Sequence, residues 1–210
     1  MFGVTDLGLF ILAGLILNIT PGVDLLYIMN RSAAQGKKAG VIAALGIGAG
    51  CVVHVLAAAL GLSMILVSSS LAFTCVKYLG AAYLIYLGIT TFLSLKHKTI
   101  RDNSQSSSVL SHRKIFRQAI LVNILNPKVA LFFMALLPQF VSPGAEHPAL
   151  AFLFLGVLFN VNGTLVNIVF ALFTSALAVK LKAAGTLSRW LKSLIGTLFV
   201  ALGIRLALTA

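Results

Sequence analysis

Long apolar stretches alternate with short polar connections along the chain. A helix that crosses a bilayer needs about 20 consecutive, mostly apolar residues. The stretches that meet this length cover residues 4–29, 40–67, 71–95, 115–140, 149–178 and 188–208. The pattern predicts an all-α membrane protein with six transmembrane helices in a single domain over residues 1–210. A polar, serine-rich loop at 96–114 separates a first half, 1–95, from a second half, 115–210.

Two of the apolar stretches are interrupted near their middle by residues that break helices. The first contains residues 18–24, NITPGVD, and the fourth contains Asn126-Pro127-Lys128. Proline removes a backbone donor and disfavours helix at the residue before it. In hydrocarbon, freed backbone groups are tolerated only where they are buried in protein or line a cavity. We therefore predict that helices 1 and 4 are broken, and matched breaks in two halves are the sequence pointer to a transporter's binding site.

The positions of the two breaks also predict an internal repeat. Three spans on each side of the polar loop place the two halves in opposite orientations across the membrane. Span 1 then runs inward and span 4 outward, and each leads its half. The local strings agree, since Asn18-Ile19 precedes Pro21 and Asn123-Ile124 precedes Pro127. We predict a 3+3 inverted repeat; two unrelated proline kinks are the alternative.

The basic residues are distributed unevenly among the loops. Of the 16 Lys and Arg residues, 13 follow spans 1, 3 and 5, whereas the loops after spans 2 and 4 contain none. They are Arg31, Lys37, Lys38, Lys96, Lys98, Arg101, Arg113, Lys114, Arg117, Lys180, Lys182, Arg189 and Lys192. Because such residues accumulate in cytoplasmic loops, both termini are predicted to lie outside. Most of the positive charge lies in these short loops, so the net charge of +12 is not interpreted as a nucleic-acid-binding surface.

The composition excludes several classes of function. The chain is 60% hydrophobic and 10% charged, whereas a soluble domain carries about 25% charged residues. Cys51 and Cys75 stand alone in apolar surroundings, so neither a metal site nor a disulfide framework is indicated. No P-loop is present, so we predict no nucleotide or other cofactor, and uphill transport would need an ion gradient. The first segment lacks a basic leader and a cleavage site, and we interpret it as a retained span.

The polar residues at the breaks suit a zwitterionic ligand. Exposed half-helix ends attract a carboxylate through N–H groups and an ammonium group through carbonyls. Charges within a span are functional candidates by default. Asp24 and Lys128 either pair with each other or each bind one end of the substrate, and a purely structural ion pair is a further alternative. We predict substrate-binding roles for Asn18, Thr20, Pro21, Gly22, Asp24, Asn126, Pro127, Lys128 and Asn160.

Proton coupling has two candidate residues. Asp24 is the only carboxylate deep in a span. His54 shares a helix face with Gly46 and Gly50, a face suited to close helix packing, so it is predicted to point inward; it either relays protons or is a hydrogen-bonded core residue.

In span 5, a polar stripe predicts either a cavity wall or a bridge between helices, with an irregular helix near its middle. The stripe consists of Gly156, Asn160, Gly163 and Asn167.

Taken together, these features resemble the LysE/RhtB family of bacterial amino-acid exporters. The resemblance covers the whole chain: six spans, the Asn-x-x-Pro-Gly-x-Asp motif from Asn18 to Asp24, the glycine-rich span with His54, the polar loop, and Asn126-Pro127-Lys128. Val23 replaces the second proline that many members have. The resemblance implies proton-driven export of amino acids through the bacterial inner membrane, in small homo-oligomers. The homoserine/threonine branch looks nearer than the lysine branch, which implies neutral substrates of the threonine, homoserine or leucine type.

Three other readings compete with amino-acid export. A divalent-cation exporter of a related family would need several converging His, Cys, Asp or Glu residues. A membrane-embedded enzyme would need paired acids or a nucleophile with a base, and no such pair stands out. A non-transporting assembly or sensor subunit would explain the spans but not two symmetric breaks with opposite charges. We predict a transporter and not an enzyme.

Overall fold

A computed structural model describes residues 2–62 and 109–177, together with the single positions 71, 75, 78, 82, 85 and 89. Its elements are α1 (Leu7–Ile19), α2 (Val23–Ala57) with a π-helical turn (Ala58–Leu62), α3 (His112–Ile124), α4 (Pro127–Leu136) with a 3-10 turn (Leu137–Phe140), and α5 (Pro148–Leu177). Within the described ranges, 2–62 and 109–177, the only β feature is a single bridge between Val4 and Val141. The all-helical prediction is confirmed for this part of the chain.

Several helices are long and apolar enough to cross a membrane. Val23–Leu62 and Pro148–Ala176 meet that test individually, and His112–Ile124 with Pro127–Phe140 meet it as a pair bent by 48°. Val23–Leu62 overlaps the end of predicted span 1 and most of span 2, the bent pair overlaps span 4, and Pro148–Ala176 overlaps span 5, so the described residues contain two candidate spans, or three with the bent pair. Predicted span 3 is described only at six single positions and predicted span 6 lies outside the described residues, so the number six and the inverted repeat of whole halves stay predictions.

Helix α2 folds back on itself at Gly36. This residue has φ 81° and ψ 178°, inside a stretch that is otherwise helical. A Cβ atom built on Gly40 would lie 2.6 Å from Cβ of Ser32, whereas eight residues of straight helix extend about 12 Å. Ile28 likewise shares a buried cluster with Ala43. Residues 23–35 therefore form the first arm of α2, which completes span 1, and residues 37–57 form the second arm, which belongs to span 2.

We expect Gly36→Ala to destabilise the protein through the backbone alone. The φ and ψ values of Gly36 lie in a region that is essentially restricted to glycine, at a cost of about 1–3 kcal/mol for other residues. A Cβ atom there would meet nothing within 4 Å, so no steric clash contributes. Thermal unfolding of the purified protein in detergent measures the loss. Gly61→Ala, also in open space, is the control; equal melting temperatures for the two variants would contradict the prediction.

The two broken spans run side by side in opposite directions. At one end, Thr5 N donates to Phe140 O at 2.9 Å. Near the middle, Asn123 Nδ2 donates to Asp24 at 2.8 Å. At the other end, the side-chain amide of Gln35 and the backbone of Leu110 exchange two hydrogen bonds of 2.9 and 3.1 Å. Residue numbers rise along one span as they fall along the other, so the pair is antiparallel, as the predicted opposite orientation of the halves requires.

Glycines allow close packing against the second arm of α2. Cβ atoms at Gly46 and Gly50 would lie 2.6 and 2.7 Å from carbonyl oxygens of α3. On this same side, Nε2 of His54 is 3.0 Å from Asn123 O. The predicted glycine face, with His54 pointing toward a neighbouring helix, is therefore confirmed. Without Cβ atoms two helix backbones can approach closely, which is how small residues stabilise helix pairs in membranes.

Helix α5 covers the other side of the second arm, and it is not irregular. It runs continuously from Pro148 to Leu177, so the predicted distortion near its middle is wrong. Its polar side chains find partners on neighbouring helices without unwinding the backbone: Asn160 Nδ2 donates to Gly48 O at 3.1 Å. Asn and Gly residues lower helix propensity by only about 0.5–1 kcal/mol each, and contacts with neighbouring helices override that cost.

The predicted boundaries need two further corrections. Span 1 was predicted to end at residue 29, yet its helix continues to Gln35. Polar side chains support the extension, since Gln35 bonds to Leu110, just before α3, and Ser32 bonds to Ala171 of α5. The polar loop was predicted to extend to residue 114, yet α3 begins at His112. Ser111 caps that helix by accepting a hydrogen bond from Lys114 N at 3.4 Å, and this local signal sets the boundary.

Candidate functional site

The breaks of the two antiparallel spans lie against each other. The ammonium group of Lys128, just after the second break, donates to Leu17 O at 3.0 Å and to Thr20 O at 2.8 Å, at the first break. Gly22 passes close to the same side chain, because a Cβ atom there would lie 3.3 Å from Lys128 Nζ. The sequence placed each break in its own span, and the tertiary structure brings them into direct contact.

Local sequence ends and restarts each helix. Thr20 terminates α1 by donating both its N–H, at 3.0 Å, and its hydroxyl, at 2.6 Å, to Ile16 O. Pro21 cannot donate a backbone hydrogen bond, and α2 begins at Val23. In the second span, Asn126 caps α4 by accepting from Lys128 N at 3.0 Å. Pro127 follows at the first helical position, where its missing N–H costs little.

Both breaks lie far from the ends of their spans. Helices α1 and α3 each contain 13 residues before their break, which is about 20 Å of helix. The first arm of α2 extends for a similar length beyond the first break. The hydrocarbon core of a bilayer is about 30 Å thick. By length alone, a span of this kind that crosses it would have its break at mid-depth, where backbone polar groups must find partners within the protein.

A small polar cavity, the break cavity, lies where the two breaks meet. Its volume is about 40 Å³, enough for a few water molecules at roughly 10–15 Å³ each. All of the predicted binding residues except the two prolines line it, together with side chains from α2, α3 and α5. Pro21 and Pro127 lie outside the wall of the cavity and are exposed. The prolines therefore shape the backbone, and other residues line the site.

Three buried polar atoms around the break cavity have no hydrogen-bond partner among the residues that the structure describes. Two are acceptors, Asp24 Oδ1 and Asn123 Oδ1, and we call them the acceptor pair. The third is a donor, Nδ2 of Asn18, and we call it the amide donor. Burying such an atom without a partner costs about 1–3 kcal/mol. Because these atoms line one cavity, either water or a ligand with both donors and acceptors can satisfy them there.

Asp24 and Lys128 bind different groups. Oδ2 of Asp24 accepts from Asn123 at 2.8 Å. Lys128 donates to the two carbonyls of the first break. Within residues 2–62 and 109–177 the two charges form no direct ion pair, so the alternative of mutual pairing does not describe this conformation.

Among the wall residues that sequence reasoning left out, Asn123 and Thr164 have polar side chains with assigned hydrogen bonds. Asn123 supplies one member of the acceptor pair and fixes Asp24, yet in the sequence it served only as part of the repeat signature. Thr164 stands one helical turn after Asn160 and donates to its side-chain oxygen at 3.4 Å. The signal for Asn123 was its position shortly before a break, as with Asn18. The signal for Thr164 was its spacing from Asn160 on α5.

His54 lies behind the break cavity and does not line it. Its Nε2 is 3.0 Å from Asn123 O, while the ring faces a separate groove beside Phe133 and Met134. The side chain of the same Asn123 bonds to Asp24. His54 thus contacts the site through one residue, and its proton-coupling role stays a prediction.

Comparison with known proteins identifies the family to which the chain is similar. The family model for the LysE type translocator matches residues 15–210. An uncharacterized membrane protein of Pseudomonas aeruginosa is 35% identical over 209 residues, 98% of this chain and 96% of that protein. One of Vibrio cholerae is 28% identical over 198 residues, 94% of each chain. The uncharacterized membrane protein YrhP of Bacillus subtilis is 38% identical over 130 residues, 59% of this chain and 62% of its own. No solved structure matches the chain.

Proposed function

The chain belongs to the LysE type translocator family, and on that premise we propose that it exports neutral amino acids, or close derivatives, in exchange for protons. The proposed substrates are of the threonine, homoserine or leucine type, moved across the bacterial inner membrane with both termini outside. The observation that carries the proposal is the break cavity, where the acceptor pair and the amide donor face one small space. An α-amino acid offers the complementary groups, an ammonium and a carboxylate, on one carbon atom.

The acceptor pair suits the ammonium end of the substrate. Asp24 Oδ1 brings a negative charge and Asn123 Oδ1 a neutral carbonyl oxygen. Hydrogen bonds to a charged group contribute about 1.5–3 kcal/mol, more than neutral ones. Asn123 also donates to the other oxygen of Asp24, which keeps the carboxylate oriented.

The carboxylate end has candidate donors on both sides of the first break. Asn18 Nδ2 is the amide donor. Helix α2 begins at Val23 after Gly22, which provides no side-chain cap. The first turn of a helix leaves N–H groups without intrahelical partners and carries partial positive charge. A substrate carboxylate at this point would accept from both the amide and the helix end.

The charge inventory of the cavity favours a neutral side chain. Once Asp24 faces the α-ammonium group, the break cavity offers no second carboxylate among its described lining residues for a dibasic substrate. Among the described lining residues, Lys128 alone carries an ammonium group. That group already donates to two carbonyls, so it is less available to pair with an acidic side chain of a substrate. A polar but uncharged side chain has Asn160, Thr164 and Asn167 on α5 as neighbours.

Asp24 is also the proposed proton carrier. A carboxylate that binds the substrate ammonium in one step and a proton in another couples the two by competition. An acid buried in a membrane is favoured in its neutral form unless a cation is near. Protonation and binding of the substrate ammonium therefore alternate at the carboxylate of Asp24. We assign His54 at most a supporting role, through Asn123.

Access to the site completes the proposed mechanism. Among the described residues the break cavity has a volume of about 40 Å³, which holds a few water molecules. In the proposed cycle the helices around the breaks separate to admit an amino acid, and the bundle opens toward one side of the membrane at a time.

Transport into proteoliposomes tests the proposed function. Purified protein is reconstituted with an imposed pH gradient, and radiolabelled threonine, homoserine, leucine, lysine and a divalent metal are compared. We expect gradient-dependent accumulation of at least one neutral amino acid, abolished by a protonophore, with lysine at least about tenfold slower, since each 1.4 kcal/mol of lost pairing is a factor of ten. Protein-free liposomes are the control.

Competition experiments in the same vesicles test recognition of both substrate ends. An amine that lacks the carboxylate and an acid that lacks the ammonium group should each compete poorly, because each leaves one set of buried partners unpaired. Accumulation of metal without amino acid would reassign the cargo. Accumulation of neither would contradict transport and favour an assembly or sensor subunit.

A further inference from the structure

The ammonium group of Lys128 occupies the carbonyl end of a helix to which it does not belong. Helix α1 ends at Ile19, and the last carbonyls of a helix lack intrahelical partners and carry partial negative charge. Two carbonyls of this break accept from Lys128 Nζ, Leu17 O at 3.0 Å and Thr20 O at 2.8 Å. Thr20 bonds to a third carbonyl, Ile16 O, through its hydroxyl at 2.6 Å and its N–H at 3.0 Å, and the same N–H also lies 3.2 Å from Leu17 O.

The position of Lys128 is not explained by its own helix. Lys128 is the second residue of α4, and a positive charge at a helix N-terminus is unfavourable by about 0.3–1 kcal/mol. The Asn126 cap fixes its backbone N–H at 3.0 Å. Gly22 leaves room for its side chain, since a Cβ atom there would lie 3.3 Å from both Cδ and Nζ. The sequence around both breaks thus positions one cation against the end of α1.

Broken-helix transporters use such carbonyls to coordinate a dissolved cation such as Na⁺. We infer that Lys128 is a tethered cation, a positioning residue that fills the cation site at the first break so that no dissolved metal ion is needed there. The inference rests on the proposed function only in treating the break as part of a transport site. Asp24, the neighbouring carboxylate, then remains free for the substrate ammonium and the proton.

Thermal unfolding of the purified full-length protein tests this without any transport measurement. For the wild type, we expect the same melting temperature in sodium chloride and in choline chloride of equal ionic strength. Lys128→Ala should lower it by at least about 5 °C, and sodium or methylammonium ions should restore part of the loss by entering the vacated site. Lys128→Met fills the space without charge, and the same ions should not rescue it.

Two further variants keep the test decisive. Lys128→Arg retains the charge and should melt within about 2 °C of the wild type. Lys114→Ala removes an exposed lysine near the start of α3 and should change nothing. A wild-type melting temperature that rises specifically with sodium would overturn the inference. So would a Lys128→Ala protein that sodium and methylammonium do not stabilise, or, if that variant does not fold, a Lys128→Arg protein that melts like Lys128→Met.

The outcomes also separate this inference from the proposed function. If no amino acid is transported but Lys128→Ala is rescued by small cations, the substrate proposal fails and the tethered cation stands. If amino acids are transported by the wild type along the pH gradient but only when sodium is also present, the proposed proton-coupled export stands and the tethered cation fails.

Discussion

Asp24→Asn is expected to reduce amino-acid export by about 100-fold while leaving the protein folded. Removing one partner of a buried, hydrogen-bonded charge pair costs about 2–5 kcal/mol, and each 1.4 kcal/mol is a factor of ten. Asparagine has the shape of aspartate and can still accept from Asn123 Nδ2, which now bonds Oδ2 at 2.8 Å. The loss should therefore appear in transport and substrate binding, with a melting temperature close to that of the wild type.

The pH dependence of export sharpens this prediction. Wild-type transport should follow the imposed pH gradient, because a proton and the substrate ammonium compete for Asp24. The Asp24→Asn protein has no ionisable group at this position, so its residual transport should not respond to the gradient. Asp6→Asn, at the exposed start of α1, is the control and should transport normally. Wild-type rates for Asp24→Asn across the pH range would show that Asp24 neither binds substrate nor carries the proton.

Gly46→Ala is expected to destabilise the protein through a clash with the backbone of a neighbouring helix. A Cβ atom at Gly46 would lie 2.6 Å from the carbonyl oxygen of Phe116 and 2.6 Å from Cβ of Ala119. The first of these is backbone, so the clash cannot be relieved by rotating a side chain, and α3 must move as a unit. Overpacking of this kind costs about 1–3 kcal/mol, and more where the backbone cannot yield. The gain in helix propensity from Gly to Ala, about 1 kcal/mol, offsets only part of it.

Gly8→Ala is the matched control for this prediction. Gly8 is also helical, in α1, and a Cβ atom there would meet nothing within 4 Å. Its substitution should leave the melting temperature unchanged or raise it slightly through helix propensity. SDS titration and thermal unfolding in detergent measure both variants. If Gly46→Ala were as stable as Gly8→Ala, the close approach of α2 and α3 would be wrong.

The pattern of apolar and polar residues predicted those features of the fold that depend on local chemistry. The broken helices before Val23 and before Pro127 follow from proline, asparagine and glycine in otherwise apolar stretches, and both are observed. Helical spacing predicted the glycine face of α2, and this face packs on α3. These features were predictable because the backbone preferences and helix periodicity that produce them act over a few residues.

Where sequence reasoning went wrong, contacts between distant residues overrode local preference. The middle of α5 was expected to unwind because of its Asn and Gly residues, yet Asn160 bonds to Gly48 of another helix and the helix stays continuous. The predicted end of span 1, at residue 29, was too early. The hydrogen bonds between Gln35 and Leu110 support the longer helix, and they join residues far apart in the chain. Sequence spacing contains no information on such partners.

The sequence by itself determined that two helices break in apolar surroundings and which polar residues stand at the breaks, because proline chemistry and the cost of polar groups in hydrocarbon act locally. Only the tertiary structure decided what those residues bind. Antiparallel packing of the two spans turned Lys128 toward the carbonyls of α1, brought Asn123 to Asp24, and left Pro21 and Pro127 outside the cavity. Those outcomes depend on which helices are neighbours, and the packing of whole helices sets that.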